Sequence, residues 1–502
     1  MEAGNDLLMP GNPTQRENII AAVNEGRLDE SVLDRNVARI LHILFKSPRY
    51  NQYPYSNKPD LKAHALVARQ AAADGMVLLK NREKTLPFAE GVKNVAAFGN
   101  TSYKIITGGT GSGDVNEAYS VALIEGLENA GYSVHGPLKE AYAAYIRDAE
   151  AKQTPGMGPL AQFMPRPRIE EMGVQAGLAR KAASETDIAL ITIGRSSGEF
   201  VDRQEEGDFN LTEREKALIS TVSKAFRDQG KRAVVVLNIG GVIETASWRD
   251  DPDAILLAWQ PGQEAGNSIV DVLSGKVNPS GKLVDSLPLS YSDVPSAKNF
   301  PGKLLESKSD ESLAGDSGRE GTGLAGNVAE VVYEEDIYVG YRYYNSFDKD
   351  VAYEFGYGLS FTQFEYANLK LGSEEFKDTV TFSVDVKNVG PVAGREVVQV
   401  YLSAPAERLN KPREELVAFA KTGLLEPGLS QTLNFELSAR DLASFVTAES
   451  SWIAEAGQYE VKIGASSRDI RQSAFFTLSK DIVVKKASRA LSPQREMDRM
   501  GQ

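Results

Sequence analysis

The 502-residue sequence contains no cysteine and only three histidines. The lack of cysteine excludes disulfide bonds, thiolate zinc sites, iron–sulfur clusters and cysteine nucleophiles. His42, His64 and His135 share no short ligand spacing, so no histidine-rich metal site is expected. The first two stand in helical patterns and the third follows a short strand, where surface or packing roles are favoured over a Ser-His-Asp triad. Carboxylates therefore remain the side chains for chemistry.

Long apolar runs are also absent, because no segment approaches the 18 or so consecutive apolar residues of a membrane span. Residues 1–6 lack the basic and apolar regions of a secretory signal. A net charge of −13 would repel nucleic acid and anionic membranes, so neither is an expected partner. We expect a soluble protein of two to four domains, and its location on either side of a membrane stays open.

Two kinds of periodicity divide the chain. Helical spacing covers 14–45, and strands then alternate with helices up to about 290. The strands are predicted at 95–98, 187–193, 233–239 and 254–259, and the helices at 119–130, 212–229 and 264–273. This pattern predicts a three-layer α/β sandwich domain with a mostly parallel sheet. Functional groups are expected in the loops that follow Phe98 and Ile193, at the carboxyl ends of their strands.

Beyond residue 375 the pattern changes to strict alternation of apolar and polar residues. It covers 380–386, 397–402, 432–437 and 459–463, with turn signals between these segments. Short alternating strands of this kind predict a β-sandwich of roughly 110 residues.

A glycine-rich stretch at 107–114 lies between a strand and a helix, where phosphate-binding loops occur. Its glycine spacing is not G-x-G-x-x-G, no Lys-Ser/Thr pair follows it, and Asp114 would repel a phosphate. We therefore do not expect a nucleotide-dependent enzyme. The stretch is interpreted as a tight loop where another domain or a ligand approaches the backbone.

The loop after the strand at 187–193 is rich in charged side chains. Gly198 gives the backbone freedom to direct Glu199 away from the sheet edge, and Arg203 can keep a neighbouring carboxylate ionised. Charged loops are commonly only solvated, so these residues alone leave a functional loop and a surface loop open. Thr212 and Glu215 form a capping box that starts the next helix.

Residues 197–203, Ser-Gly-Glu-Phe-Val-Asp-Arg, resemble the acid/base loop of glycoside hydrolase family 3. Further segments resemble signatures of that family in the same order, above all those of its bacterial three-domain β-glucosidases. These segments are 3–11, 75–81 with 86–87, 259–266, 278–283, 333–344 and 355–360. The alternating strands beyond residue 375 are similar to the family's fibronectin type III-like domain.

The resemblance implies retaining hydrolysis of β-glucosides by two carboxylates about 5–5.5 Å apart. It implies that Glu199 is the general acid/base, which protonates the departing oxygen and later activates water. Phe200 either supplies apolar surface to this site or simply packs. Asp202 and Arg203 either position the loop or form a surface ion pair. No metal and no other cofactor is implied.

The family's nucleophilic aspartate precedes the segment that 3–11 resembles, so no nucleophile is assigned in this chain. Asp6 stands too late in that segment for the role. We therefore expect a chain that supplies the acid/base and is inactive without a separate barrel domain. The alternative is a non-catalytic carbohydrate-binding or assembly module built from the same two domains.

This interpretation divides the chain into six parts. They are a (β/α)-barrel remnant (1–46), a linker (47–58), an α/β domain with the acid/base loop (59–300), an exposed connecting segment (301–374), a fibronectin type III-like domain (375–483) and a tail (484–502). The apolar residues Val37, Ile40, Leu41 and Leu44 of the remnant would then be partly exposed, which predicts self-association.

Overall fold

The computed structural model describes residues 1–9, 11–153, 167–197, 203–300, 302–304, 329–491 and 497–500. The chain divides into two compact units. The first comprises Met1–Leu61, Ser438–Ala456 and Lys480–Met497, and the second comprises Lys62–Leu437, Gly457–Ser479 and Asp498–Gln502.

The α-helices of the described residues are α1 (Pro13–Asn24), α2 (Glu30–Lys46), α3 (Leu61–Gly75), α4 (Asn100–Tyr103), α5 (Leu123–Asn129), α6 (Gly136–Glu150), α7 (Ala176–Glu185), α8 (Glu213–Arg227), α9 (Ala265–Leu273), α10 (Tyr341–Ser346) and α11 (Ala439–Leu442). Among these helices of the described residues, none is both long enough and apolar enough to cross a membrane.

The strands of the same residues are β1 (Val77–Asn81), β2 (Asn94–Phe98), β3 (Ser133–Val134), β4 (Ile188–Arg195), β5 (Arg232–Ile239), β6 (Ala254–Leu257), β7 (Leu287–Pro288), β8 (Lys303–Leu304), β9 (Ala329–Glu330), β10 (Val351–Tyr353), β11 (Phe364–Leu371), β12 (Thr379–Asn388), β13 (Val397–Ser403), β14 (Glu415–Lys421), β15 (Ser430–Ser438), β16 (Ser444–Val446), β17 (Ser451–Ala454), β18 (Gly457–Gly464), β19 (Ile470–Leu478) and β20 (Ile482–Lys486).

The first unit contains helices α1 and α2 and a three-stranded sheet of the order β16-β17-β20. Asp29 caps α2 by accepting a hydrogen bond from Ser31 N at 2.8 Å. The helical pattern predicted for 14–45 is confirmed. Along α2, Val37 and Leu44 are each 52% exposed, Leu41 is exposed and Ile40 is half-buried, so its apolar face is open to solvent.

A six-stranded sheet of the order β1-β6-β5-β4-β2-β3 forms the centre of the α/β domain in the second unit. Strand β1 is antiparallel to β6, and the other neighbouring pairs are parallel. Strand β4 is buried along its whole length. Its Ile191 joins a core with α7 and α8, and Leu190 joins a second core with α5 and α9. The predicted mostly parallel sheet, covered on both faces, is confirmed.

Strands β2 and β4 mark the switch point of this sheet. The chain leaves β2 towards β3 on one side and returns to β4 on the other, so the loops after β2 and β4 diverge. Ligands in open α/β sheets bind at the carboxyl ends of such strands. Gly99 ends β2 with a φ of 92°, and a Cβ at this position would lie 2.1 Å from Thr192 O of β4. Only glycine fits this close approach.

The helix predicted at 119–130 is shorter in the structure, because α5 begins at Leu123. The predicted start is wrong because tertiary contacts hold the preceding residues in another conformation. Val121 N donates to Gln263 O at 2.9 Å, and Ala122 N donates to Glu125 Oε2 at 2.8 Å. These bonds fix the chain before the first helical turn.

The β-sandwich follows the α/β domain within the second unit. Its sheets have the orders β11-β12-β15 and β14-β13-β18-β19. Strand β12 alternates exposed and buried residues over most of its length, as the sequence pattern predicted. Lys282 of the α/β domain forms an ion pair with Glu396 of the sandwich at 2.9 Å, with both side chains largely buried. The predicted α/β domain followed by a β-sandwich is confirmed.

Candidate functional site

Three loops meet at Ser197, two residues beyond strand β4. Thr110 N donates to Ser197 O at 2.8 Å, and Ser197 Oγ donates to Gln260 Oε1 at 3.1 Å. Gln260 Nε2 in turn donates to Gly108 O at 3.0 Å. The glycine-rich loop, the loop after β4 and the loop after β6 are therefore tied together at the carboxyl edge of the sheet.

Two glycines allow this close approach of backbones. A Cβ at Gly109 would lie 2.9 Å from Ser197 O. A Cβ at Gly240, directly after β5, would lie 2.3 Å from Ser197 Oγ and 2.7 Å from Gln260 Oε1. No side chain can be added at either position without displacing Ser197. The glycine-rich stretch thus serves the approach of a neighbouring loop.

The buried side chain of Asn238, near the end of β5, also holds two of these three loops. Its Nδ2 donates to Ile106 O and to Trp259 O, each at 2.8 Å, and its Oδ1 accepts from Ile106 N at 2.8 Å. Trp259 adopts a φ of 57°, which a residue with a bulky side chain rarely does. The loop after β6 is therefore held in a strained conformation by its hydrogen bonds.

Arg195 at the end of β4 carries the largest of the fully buried side chains in the described chain, with 1% of its surface exposed. Its guanidinium forms a bidentate pair with Glu215 of α8, at 2.7 and 2.8 Å. Its Nε donates to Asp208 O at 2.8 Å, and its Nη1 donates to Gly194 O at 2.7 Å. The end of β4 is thus bonded both to the next helix and to the loop that leads to it.

Glu215 has a second role as the capping residue of α8. Its Oε2 accepts from Thr212 N at 2.8 Å and from Thr212 Oγ1 at 2.9 Å. Burial by itself would raise the pKa of Glu215. Hydrogen bonds and the charges of Arg195 and Arg168 outweigh burial and hold this pKa below its ordinary value. Glu215 is therefore a fixed negative charge that orients Arg195.

Arg203 anchors the same loop from its other side. Its Nη1 forms an ion pair with Asp208 Oδ1 at 2.9 Å, and Gln204 N donates to Asp208 Oδ2 at 3.2 Å. The guanidinium also lies against Gly241 after β5, where an added Cβ would be 3.0 Å from its Nη2. Arg203 therefore pairs with a carboxylate as expected, and it does so at the sheet edge with only 20% of its side chain exposed.

Glu171 is a buried acid beside this cluster. Its Oε2 accepts from Asn100 N at 3.1 Å, directly after β2, and its Oε1 accepts from Met172 N at 3.0 Å. Burial raises the pKa of Glu171 to about 7, because the two backbone hydrogen bonds only partly offset the loss of solvation. No sequence motif distinguishes this residue, and sequence reasoning missed it.

The predicted site residues Glu199, Phe200 and Asp202 lie outside the described residues. The structure places Arg203 and Ser197, which flank them, at the carboxyl edge of the sheet. Sequence reasoning missed the Arg195–Glu215 pair. A signal existed, because an arginine that ends an otherwise apolar strand needs a charged partner if it is buried.

Within the described ranges, no three histidine or carboxylate side chains come together as a metal site would require. His42 and His64 are exposed on helices, and His135 Nε2 lies 2.7 Å from Glu185 Oε2. Carboxylates and arginines are the charged groups at the sheet edge.

Two family profiles match the chain. The glycosyl hydrolase family 3 C-terminal domain matches residues 76–341, and a fibronectin type III-like domain matches residues 396–467. The first profile covers the whole sheet with its carboxyl-edge loops. The second covers the middle of the β-sandwich.

Similar proteins agree with these profiles. Beta-glucosidase A of Butyrivibrio fibrisolvens is 34% identical, with 87% of this chain and 54% of that protein covered. Thermostable beta-glucosidase B of Acetivibrio thermocellus is 32% identical, with 94% and 56% covered. The chain thus spans about half the length of these curated relatives.

A solved structure also matches at the level of the fold. Beta-glucosidase 3B of Thermotoga neapolitana, in complex with glucose, is 43% identical and superimposes with a TM-score of 0.81. The match covers 95% of this chain and 64% of that one.

Proposed function

The chain belongs to glycosyl hydrolase family 3, and we propose on this basis that it forms part of a retaining β-glucosidase. In this proposal it supplies the general acid/base Glu199, and the nucleophile lies outside these 502 residues. The chain by itself then does not hydrolyse glycosides. A barrel domain that carries the nucleophile is its required partner.

The observation that carries the proposal is the anchoring of the sheet edge on both sides of Glu199. Ser197 is bonded to two neighbouring loops, and Arg203 is paired with Asp208. Two peptide links separate Glu199 from Ser197, so its Cα can lie at most about 7 Å from an anchored residue. The switch point of an open α/β sheet is where a ligand is expected.

Retaining hydrolysis assigns two successive tasks to one carboxyl group. Glu199 first donates its proton to the glycosidic oxygen while the nucleophile attacks the anomeric carbon and the leaving alcohol departs. The resulting carboxylate then removes a proton from water, which attacks the same carbon and releases the nucleophile. The proton balance closes over the cycle, and no cofactor is needed.

The neighbouring residues position this group. The Arg195–Glu215 pair fixes the end of β4 to α8, so the loop between them has both ends held. Arg203 orients the loop from its distal side, and we assign Phe200 and Asp202 as supporting residues of the same loop. Phe200 supplies apolar surface that favours the protonated form of the acid.

The substrate class follows from the relatives. Two curated relatives at 34% and 32% identity are named β-glucosidases, and the Thermotoga neapolitana structure holds glucose. We therefore propose a β-linked glucoside or a short oligosaccharide as the substrate. The acidic balance of the chain, with a net charge of −13, also favours a neutral substrate over a phosphorylated one.

The test begins with an aryl β-glucoside and the purified 502-residue chain, for which we expect no hydrolysis. The chain is then joined to the part of the Thermotoga neapolitana β-glucosidase that it does not cover, and we expect the hybrid to hydrolyse the glucoside. In the hybrid, Glu199→Gln should abolish hydrolysis of substrates with poor leaving groups. Dinitrophenyl β-glucoside should still form the glycosyl-enzyme, because its leaving group needs no protonation.

The matched control is Glu206→Gln, an exposed carboxylate in the same loop, which should leave both substrates unaffected. Hydrolysis by the 502-residue chain alone, lost in Glu199→Gln, would show that a nucleophile lies within these residues. Equal losses for good and poor leaving groups would show that Glu199 is not the acid.

A further inference from the structure

A groove opens on the β-sandwich beside the last strand of its four-stranded sheet. One wall is β19, and the other is the segment 374–377, which runs along the edge of that strand. Phe376 N donates to Thr477 O at 2.9 Å, and Thr477 N donates to Glu374 O at 2.8 Å. The groove has a volume of about 770 Å³, which lies in the range of small-molecule sites.

Phe475 forms an aromatic surface on this groove. Its side chain is 50% exposed, whereas its neighbour Phe476 points into the sandwich core and stacks on Tyr459 with ring centroids 5.3 Å apart. The alternation of β19 therefore places one ring in the core and one in solvent.

Polar side chains surround the exposed ring. Glu460 of β18 is directly opposite Phe475 in the sheet, and Gln458 is opposite Thr477. Cross-strand neighbours have Cβ atoms about 5 Å apart, and residues two apart on one strand share a face about 7 Å apart. A carboxylate, an amide and a hydroxyl thus ring the aromatic surface within reach of one bound molecule.

The charges of the groove restrict the ligand. Glu374 and Glu375 line the groove together with one basic residue, Lys377, and Glu460 is paired with Lys462 at 3.7 Å, so the groove has a net negative charge in an acidic chain. Phosphates and acidic polysaccharides would be repelled. A neutral molecule with a flat apolar face and a rim of hydroxyl groups matches the aromatic ring and its polar surroundings. A β-linked glucosyl unit has that shape, because its hydroxyl groups are equatorial and its C–H bonds form two apolar faces.

We propose that this groove is a carbohydrate-binding site for neutral β-linked gluco-oligosaccharides, with Phe475 as the stacking platform. It would retain a sugar chain on the sandwich independently of turnover. The proposal does not depend on the catalytic role of Glu199.

The test is titration of the 502-residue chain with cellotetraose, followed by calorimetry and by chemical shifts of aromatic protons. We expect saturable binding that weakens about tenfold in Phe475→Ala and is kept or strengthened in Phe475→Trp. Phe445→Ala removes another exposed phenylalanine and should leave binding unchanged. Maltotetraose, whose α-links turn the chain, should bind more weakly than cellotetraose.

Two further outcomes separate this site from the proposed catalytic one. Binding that is unchanged in Glu199→Gln and weakened in Phe475→Ala supports the groove. Binding lost in Glu199→Gln and unchanged in Phe475→Ala overturns it, as does no measurable binding by a chain whose circular dichroism is native. Because Phe475 faces solvent, Phe475→Ala is expected to fold, and circular dichroism checks this.

Discussion

The substitution Glu215→Gln tests the buried ion pair at the end of β4. It removes one negative charge and keeps the size of the side chain. A capping box accepts glutamine in place of glutamate, so the hydrogen bond to Thr212 N is retained. The substitution therefore isolates the charge of Glu215 from its capping role, and Arg195 is left without its bidentate partner in a site that is 1% exposed.

The expected loss of stability follows from that burial. Removal of one partner from a buried ion pair costs about 3–5 kcal/mol, because the remaining charge stays desolvated. Arg195 keeps its bonds to Asp208 O and Gly194 O and a longer ion pair with Asp208 Oδ1 at 3.5 Å, and the amide oxygen can accept one more bond. We therefore expect a loss of about 3 kcal/mol at pH 7, at the lower end of that range.

Denaturation by urea, followed by the fluorescence of Trp248 and Trp259, measures this loss. Trp248 is 2% exposed and belongs to the same core as α8, and Trp452→Phe removes the tryptophan of the first unit from the signal. Glu213→Gln is the matched control. Its side chain is 90% exposed in the first turn of the same helix, so its effect should stay within about 0.5 kcal/mol.

The pH dependence supplies an independent check. Arg195 helps to lower the folded-state pKa of Glu215 below the ordinary value of 4.5. The ionised Glu215 therefore makes its full contribution to the free energy of unfolding above pH 4.5, and this contribution is lost as the pH falls through the folded-state pKa. The difference between the wild type and Glu215→Gln should therefore shrink below about pH 4. A difference below 0.5 kcal/mol at pH 7 would refute the account of Arg195 given above.

The remaining predictions concern the acid beside this pair, the domain contact and the helical surface. Burial raises the pKa of Glu171 to about 7, so the native state holds a proton that the unfolded state releases near 4.5. The protonated carboxyl of Glu171 should add about 3 kcal/mol to the free energy of unfolding below pH 4.5, and this contribution should be lost as the pH rises to about 7. Urea midpoints of the wild type should therefore fall over this range, and those of Glu171→Gln should lack this decline. Lys282→Met leaves Glu396 buried without its ion pair, so calorimetry should resolve an earlier, separate unfolding of the sandwich. The exposed residues Leu41 and Leu44 should cause concentration-dependent association in sedimentation velocity, and replacement of both by glutamate should give a monomer.

Sequence reasoning was most successful where one physical cause sets the local structure. Strands β4 and β5 are buried on both faces, and their near-continuous apolar runs predicted them. The start of α8 was predicted from Thr212 and Glu215, because a capping box acts over three residues. The location of the loops after Phe98 and Ile193 at the carboxyl edge was predicted from the parallel sheet alone, whereas their functional role stays a prediction.

Contacts between distant residues could not be predicted in the same way. Glu215 was recognised as a cap but not as the partner of Arg195, since that pairing depends on how α8 packs on the sheet. The raised pKa of Glu171 depends on burial produced by segments far apart in sequence. The start of α5 was misplaced because Gln263 holds Val121 through a tertiary hydrogen bond.

Glu215 links the stability of the fold to the proposed chemistry, because it is both the cap of α8 and the partner of Arg195. It fixes the first turn of α8 through Thr212 and the end of β4 through Arg195, so it holds both ends of the loop that contains Glu199. In the proposed enzyme, the acid/base and the nucleophile come from different domains, and their separation of about 5–5.5 Å must be set by rigid supports. A displacement of about 1 Å can reduce a rate about a hundredfold. The bidentate geometry of Arg195 and Glu215 fixes both the distance and the orientation between β4 and α8, which is what this position requires.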